Sequence, residues 1–134
     1  MSAYFLDTNH ASPLVTLGHP LREQILARHQ TGDTFALIAP ALNEFLFGIA
    51  TLPRAQANLR EWAYLKAEFT FYGVDTVDAE EAFRLRLNLR QQGRQLDLVD
   101  SFIAIVALRY DLTLLTKDKD FLAVPTLKQE NWLV

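Results

Sequence analysis

Short apolar runs ending in polar turn residues alternate along this chain with longer stretches of helical character, and that alternation restricts the fold more than any other feature. The first run, Ala3-Tyr4-Phe5-Leu6, is closed by Asp7-Thr8-Asn9 and reads as a buried strand followed by a polar turn. A helix pattern covers about Leu21 to His29, and a second apolar strand covers Thr34 to Ile38. Pro40 then falls at the first position of a helix running to about Ala50. From Pro53 to about Phe69 the composition is helical, Phe71 to Val74 suits a short strand, and Asp78 suits the N-cap of a helix that stops near Gly93. Asp97 heads a further helix from Leu98 to Tyr110, Leu112-Thr113-Leu114-Leu115 reads as a strand, and Thr116 to Asp120 reads as the polar loop after it. Strands and helices in this order predict an α/β sandwich around a mainly parallel sheet. In open sheets of that kind ligands sit beyond the carboxyl ends of the strands.

Length and composition narrow the function classes. A chain of 134 residues suits one domain, over 1–134, with a single core and no linker or repeat. Without cysteine there is neither a disulfide framework nor a thiolate metal site, so any metal is held by oxygen or imidazole ligands. No segment reaches the roughly 18 apolar residues of a membrane span, and Met1 to His10 lacks the basic region and apolar run of a signal peptide, so a cytoplasmic protein is expected. The formal charge of -3 argues against broad attraction to nucleic acid, so any such contact must be local.

Four acidic residues are candidates to meet at the strand ends: Asp7, Glu44, Asp100 and Asp118. Asp7 and Asp118 each lie at or just past the end of an expected strand. Asp100 lies in the first turn of an apolar helix, on the stripe formed by Ile103, Ala104 and Ala107. Glu44 lies in Ala41-Leu42-Asn43-Glu44-Phe45-Leu46-Phe47-Gly48, a helix with apolar residues on nearly every side. Four carboxylates near a core repel one another and lose solvation, which a divalent cation offsets. All-oxygen ligands suit Mg²⁺ or Mn²⁺.

Each residue also has an ordinary structural reading. Asp7 could cap the following turn, Glu44 could lie on a solvated seam, and Asp118 and Asp120 could belong to a solvated loop. Asp97 occupies the better capping position on its helix, so the structural role goes to Asp97 and the functional one to Asp100. His10, His19 and His29 lack metal-ligand spacing and receive no catalytic role.

Taken in order, Asp7-Thr8-Asn9 after an apolar strand, Glu44 in Asn43-Glu44-Phe45-Leu46-Phe47-Gly48, Asp100 leading Ser101-Phe102-Ile103-Ala104, and Leu114-Leu115-Thr116-Lys117-Asp118-Lys119-Asp120-Phe121 resemble the four blocks of PIN-domain ribonucleases, in particular the VapC toxins of bacterial toxin–antitoxin pairs. Gly93-Arg94 resembles the short turn preceding the acidic helix in many such proteins. Asp97 adds a fifth nearby carboxylate, and Ile105-Val106 stands where the family often has a smaller pair. The resemblance implies a PIN-like three-layer α/β/α sandwich and an endoribonuclease dependent on Mg²⁺ or Mn²⁺. It implies a catalytic quartet of Asp7, Glu44, Asp100 and Asp118, with Asp7 and Asp100 on the metal and Thr8, Asn9 and Thr116 in support. It further implies an RNA substrate, a homodimer and a VapB-like antitoxin partner.

The chemistry that follows is metal-assisted attack on a phosphodiester, with one ion or two. Arg86, Arg90 and Arg94, at spacings of four, lead toward Asp97 and suit substrate phosphates, while surface pairing is the alternative for them and for Lys117 and Lys119. A haloacid-dehalogenase-like phosphatase also begins with Asp after its first strand, but it needs a second Asp at the position of Asn9. A degenerate PIN-like binding module predicts loss of an acidic ligand, and all four are present. A housekeeping PIN ribonuclease, without an antitoxin, is the remaining alternative.

Overall fold

The computed structural model describes residues 1–133 and contains five strands and six α-helices. Strands β1 (Ala3–Leu6), β2 (Thr34–Ile38), β3 (Thr70–Tyr72), β4 (Thr113–Leu115) and β5 (Gln129–Glu130) form one sheet in the order β3-β2-β1-β4-β5. Every pairing is parallel, and Leu6 stands opposite Leu115 at the carboxyl ends of β1 and β4. The α/β sandwich expected from the alternation is therefore the fold observed.

Side chains of a strand point to opposite faces in turn, and here both faces are apolar because helices cover both. Tyr4, Leu6, Phe35, Leu37 and Leu115 face a core built with helices α2 (Pro20–Gln30), α3 (Ala39–Ala50) and α4 (Ala55–Leu65), which contribute Leu21, Ile25, Phe45, Ile49 and Trp62. Phe5, Ala36, Ile38 and Leu114 face the opposite core, built with α5 (Thr76–Gln91) and α6 (Leu98–Arg109) through Leu89, Ile103, Ala104 and Ala107. Burying so many large side chains on both faces holds the sheet against its helices, at roughly 1.5–3 kcal/mol for each fully buried one.

Several boundaries differ from the sequence reading for local reasons. The N-cap of α5 is Asp75, not Asp78. Asp75 accepts a bond from the Asp78 backbone N–H at 2.9 Å, and Asp78 accepts one from the Asp75 N–H at 3.0 Å. Asp78 is also bonded by Arg109, which donates to Glu81 at 3.0 Å as well, clamping α5 to α6. Gly93, at φ +74, follows the end of α5 in the left-handed region that glycine enters freely. The helix expected over Pro53 to Phe69 is α4 followed by a 3₁₀ turn, Lys66–Glu68. The turn after β1 is a one-turn helix, α1 (Thr8–Ala11).

Candidate active site

Asp7 leaves the carboxyl end of β1 with its backbone N–H donating to the Leu115 carbonyl of β4 at 3.1 Å. It is buried, and it is the N-cap of α1. Its carboxylate accepts three bonds: from the Thr8 N–H at 2.8 Å, from Asn9 Nδ2 at 3.1 Å and from Thr116 Oγ1 at 2.7 Å. Burial pushes its pKa up, opposed by these bonds and assisted by the charge of Asp118. Capping and membership of an acidic cluster, alternatives at the level of sequence, are thus both true of Asp7.

Thr116, the first residue after β4, is the hinge between two of the acids. Its hydroxyl donates to Asp7 and accepts from the Asp118 N–H at 3.0 Å. Asp118 is half-buried and caps the 3₁₀ turn Lys119–Ala123 by accepting from the Asp120 N–H at 2.9 Å. Asp120 itself is exposed. Asn9 ties the two loops together, since its Oδ1 accepts from the Lys117 N–H at 3.3 Å while its Nδ2 donates to Asp7. Thr8 contributes through its backbone.

Asp100 stands in the first turn of α6, half-buried, on the stripe that continues through Ile103, Ala104 and Ala107 in the core. Its pKa is pushed up to about 7. Burial is the largest cause, followed by the charges of Asp7, Asp118, Asp97 and Glu44. Glu44 is also raised, by desolvation and then by Asp7 and Asp97. Its helix does have a solvent face, carrying Asn43, Glu44, Phe47 and Gly48, so Glu44 approaches the cluster from the rim. The four acids named from sequence therefore lie on the turn after β1, on α3, on α6 and on the loop after β4, near enough for their charges to act on one another.

Asp97 differs from its expected role. It occupies the N-cap position of α6, yet its side chain makes no capping bond; only its carbonyl is used, by the Ser101 N–H at 2.8 Å. Its charge instead raises both Glu44 and Asp100, which makes it a fifth acid of the cluster.

Among the described residues, no three acidic or histidine side chains stand close enough to grip an ion as they are arranged. Like charges spread, and Asp7 and Asp118 direct oxygens to Thr8, Asn9, Thr116 and Asp120 instead. The donor set is nevertheless all oxygen, from separate elements, with carboxyls whose mutual repulsion raises their pKa values. That chemistry fits a hard divalent cation, which these side chains would reach by drawing inward.

His10, which has no role in the sequence pattern, supports the cluster from behind. It is fully buried, and burial, with Lys117 nearby, holds its pKa down to about 4, so the ring is neutral at pH 7. The Trp132 backbone N–H donates to Nε2 at 3.0 Å, so Nδ1 carries the proton and donates to Asn9 Oδ1 at 2.6 Å. This orients the Asn9 amide with Nδ2 toward Asp7. Only the fold brings Trp132 to His10, so no spacing in the sequence signals the relay.

A family model described as PIN domain matches residues 4–127. No curated protein sequence matches the chain. Among solved structures, the chain is similar to VapBC2 from Rickettsia felis bound to a DNA fragment from their promoter, with TM-score 0.83, 22% identity, and coverage of 97% of this chain and 98% of that one. It is similar to DNA-bound VapBC from Salmonella typhimurium, with TM-score 0.81, 21% identity, and coverage of 98% and 99%. It is also similar to VapC20 of Mycobacterium tuberculosis, described as a sarcin-ricin loop cleaving toxin, with TM-score 0.65, 18% identity, and coverage of 92% and 95%.

Proposed function

This chain belongs to the PIN domain family, and from that premise we propose that it is an endoribonuclease dependent on Mg²⁺ or Mn²⁺ and held in check by a small antitoxin. One observation carries the reading: Asp100 lies among Asp7, Asp118, Asp97 and Glu44 at the carboxyl edge of a parallel sheet, with its pKa pushed up to about 7. A cation would offset the negative charge that surrounds this group, at the cost of only a small proton penalty near neutral pH. Likeness to a toxin described as cleaving the sarcin-ricin loop, and to VapBC assemblies, supports RNA as substrate and an inhibitory partner.

Asp7 and Asp100 would hold the cation, with Glu44 and Asp118 completing the charge. A divalent ion held there would supply charge neutralisation for the phosphodiester and would lower the pKa of a water. The chain's own groups do the rest. Thr116, Thr8 and Asn9 hold the Asp7 carboxylate at the carboxyl end of β1, where it would meet a cation as the other acids draw inward. Asp118, held by Thr116, sits at the same hinge, and exposed Glu44 and Asp97 leave the rim open for a strand to enter. No helix among the described residues is long and apolar enough to cross a membrane. A homodimer is the assembly that the likeness to VapC toxins implies.

Incubation of the purified protein with single-stranded RNA tests the reading. Cleavage should require Mn²⁺ or Mg²⁺, stop with EDTA, and be lost in Asp7→Asn and Asp100→Asn variants that keep wild-type circular dichroism. Expression should arrest growth, and co-expression with the neighbouring small reading frame should restore it. Wild-type rates in Asp100→Asn would overturn the assigned site. A protein that is harmless when overproduced, yet cleaves RNA, would instead be a housekeeping ribonuclease.

A further inference from the structure

We propose that the groove between the second half of α5 and the turn at 93–96 is a binding track for the sugar–phosphate backbone of single-stranded RNA, along which a strand is led to the acidic cluster. The proposal rests on the ribonuclease reading for its ligand. Its walls include Phe83, Arg86, Leu87, Arg90, Arg94 and Leu96.

Charge segregation is the first observation. From Ala82 to Leu96 there are four arginines and no acid, whereas the rest of the chain carries nine Lys or Arg against all 16 Asp and Glu. The acids of α5 lie in its opening turns, where Arg109 pairs with Asp78 and Glu81. Among the described residues, ion pairs engage Arg22, Arg28, Arg109, His29 and Lys128, and none engages Arg86, Arg90 or Arg94. All three are exposed. Arg86 Nε donates to the Leu96 carbonyl at 3.3 Å, which holds the turn against the helix and leaves its terminal nitrogens free to meet an anion. A local cationic track in a net-negative chain is what a contact confined to one strand requires.

The second observation is what stands between the arginines. Phe83 is 61% exposed and Leu87 43% exposed on the same groove. A carboxylate-bearing peptide would need the guanidinium groups alone. An unpaired nucleic-acid strand uses both, phosphates on arginine and bases stacked on an aromatic face.

The third is continuity. Leu96 lines the groove, and the next residue, Asp97, heads α6, whose first turn carries Asp100. A polyanion following Arg90 and Arg94 thus arrives at the acidic rim within a few residues. It would be repelled there unless cations were present, so track and cluster suit one ligand in succession.

The test measures binding without cleavage, by fluorescence anisotropy of a labelled single-stranded RNA oligomer with Asp100→Asn protein in Mg²⁺ over a range of salt. Adding Arg86→Ala and Arg90→Ala should weaken binding at least 10-fold near 0.1 M salt, and should flatten the log–log salt slope by about 0.7 for each phosphate no longer neutralised. Adding Phe83→Ala should weaken binding roughly fivefold and leave the slope alone. The charge-matched control, Arg54→Ala at the N-cap of α4 with Arg60→Ala midway along it, should do neither. Equal affinity and slope for the two arginine pairs would overturn the proposal. So would a change of oligomeric state in the Arg86/Arg90 variant without loss of RNA affinity, which would make the groove a contact between copies. If wild-type protein binds RNA here but cleaves none, the track stands and the ribonuclease reading falls.

Discussion

Asp100 carries a raised pKa of about 7, against an ordinary value of 3.8, and the sign of that shift sets how the metal-free protein responds to pH. Between about pH 4 and pH 7 the folded chain keeps a proton that the unfolded chain releases. Stability therefore falls as pH rises through that window, and the loss is complete above it. Three units convert to about 4 kcal/mol, which half-exposure and solvent screening reduce to about 1–2 kcal/mol. Asp100→Asn removes the charge at nearly constant volume. In EDTA at pH 8 it should melt a few degrees above wild type, and near pH 4 the two should coincide. Added Mn²⁺ should then raise the wild-type Tm and leave the variant almost unmoved. A variant that melts below wild type at pH 8 would mean that Asp100 is stabilised by a partner other than a cation. This residue is legible in sequence because its position in the first turn, on the stripe of Ile103, Ala104 and Ala107, fixes the direction of its side chain. Glu44 is only half legible: its apolar neighbours single it out in sequence, but the exposed face of α3 on which it lies depends on which helices pack beside it.

Two neighbouring helices show how far local signals determine an element. The beginning of α5 carries a reciprocal pair of bonds between Asp75 and Asp78, and that of α6 carries an aspartate in the same cap position with no such bond. Sequence alone favours Asp78 and Asp97 as caps, because residue type identifies a candidate cap but neither the residue at which the helix begins nor whether the side chain turns back to the first amides. Asp75→Ala should accordingly cost about 1–2 kcal/mol in denaturant unfolding. Asp97→Asn should cost little or nothing in the same assay, because its contribution at neutral pH is repulsion of Glu44 and Asp100; it should instead weaken divalent-ion binding. If Asp97→Asn destabilises as much as Asp75→Ala, Asp97 serves the helix after all. The strand Thr34–Ile38 and the span of α6 are readable from apolar runs and their stops. Helix α1, four residues long, and strand β5, two residues long, are too short for any period to register.

At the scale of the whole molecule, alternation in the sequence implies a parallel sheet, but the order β3-β2-β1-β4-β5 depends on which strand pairs with which. That order sets β1 and β4 side by side, so acids far apart in the chain, Asp7 and Asp118, share one edge. It also brings the segment after β5 back across the molecule. Trp132 packs edge-on against Tyr4 and Phe35, and its backbone N–H meets His10. Through His10 and Asn9 the C-terminal segment is thereby connected to the Asp7 carboxylate, and the two ring nitrogens of His10 do separable work. Gln in its place offers an acceptor near the position of Nε2 for Trp132 but no donor to Asn9. Asn offers a donor near the position of Nδ1 for Asn9 but no acceptor for Trp132. If His10 positions the site through Asn9, His10→Gln should keep a near-wild-type Tm while requiring about 10-fold more Mn²⁺ for half-maximal cleavage, in line with the loss of an outer-shell hydrogen bond. His10→Asn should do the reverse, with a lower Tm and a nearly unchanged Mn²⁺ requirement. Loss of Mn²⁺ affinity in proportion to loss of stability in both variants would reduce His10 to a well-packed core residue, and Asp7 would then owe its orientation to Thr116 and the Thr8 N–H alone.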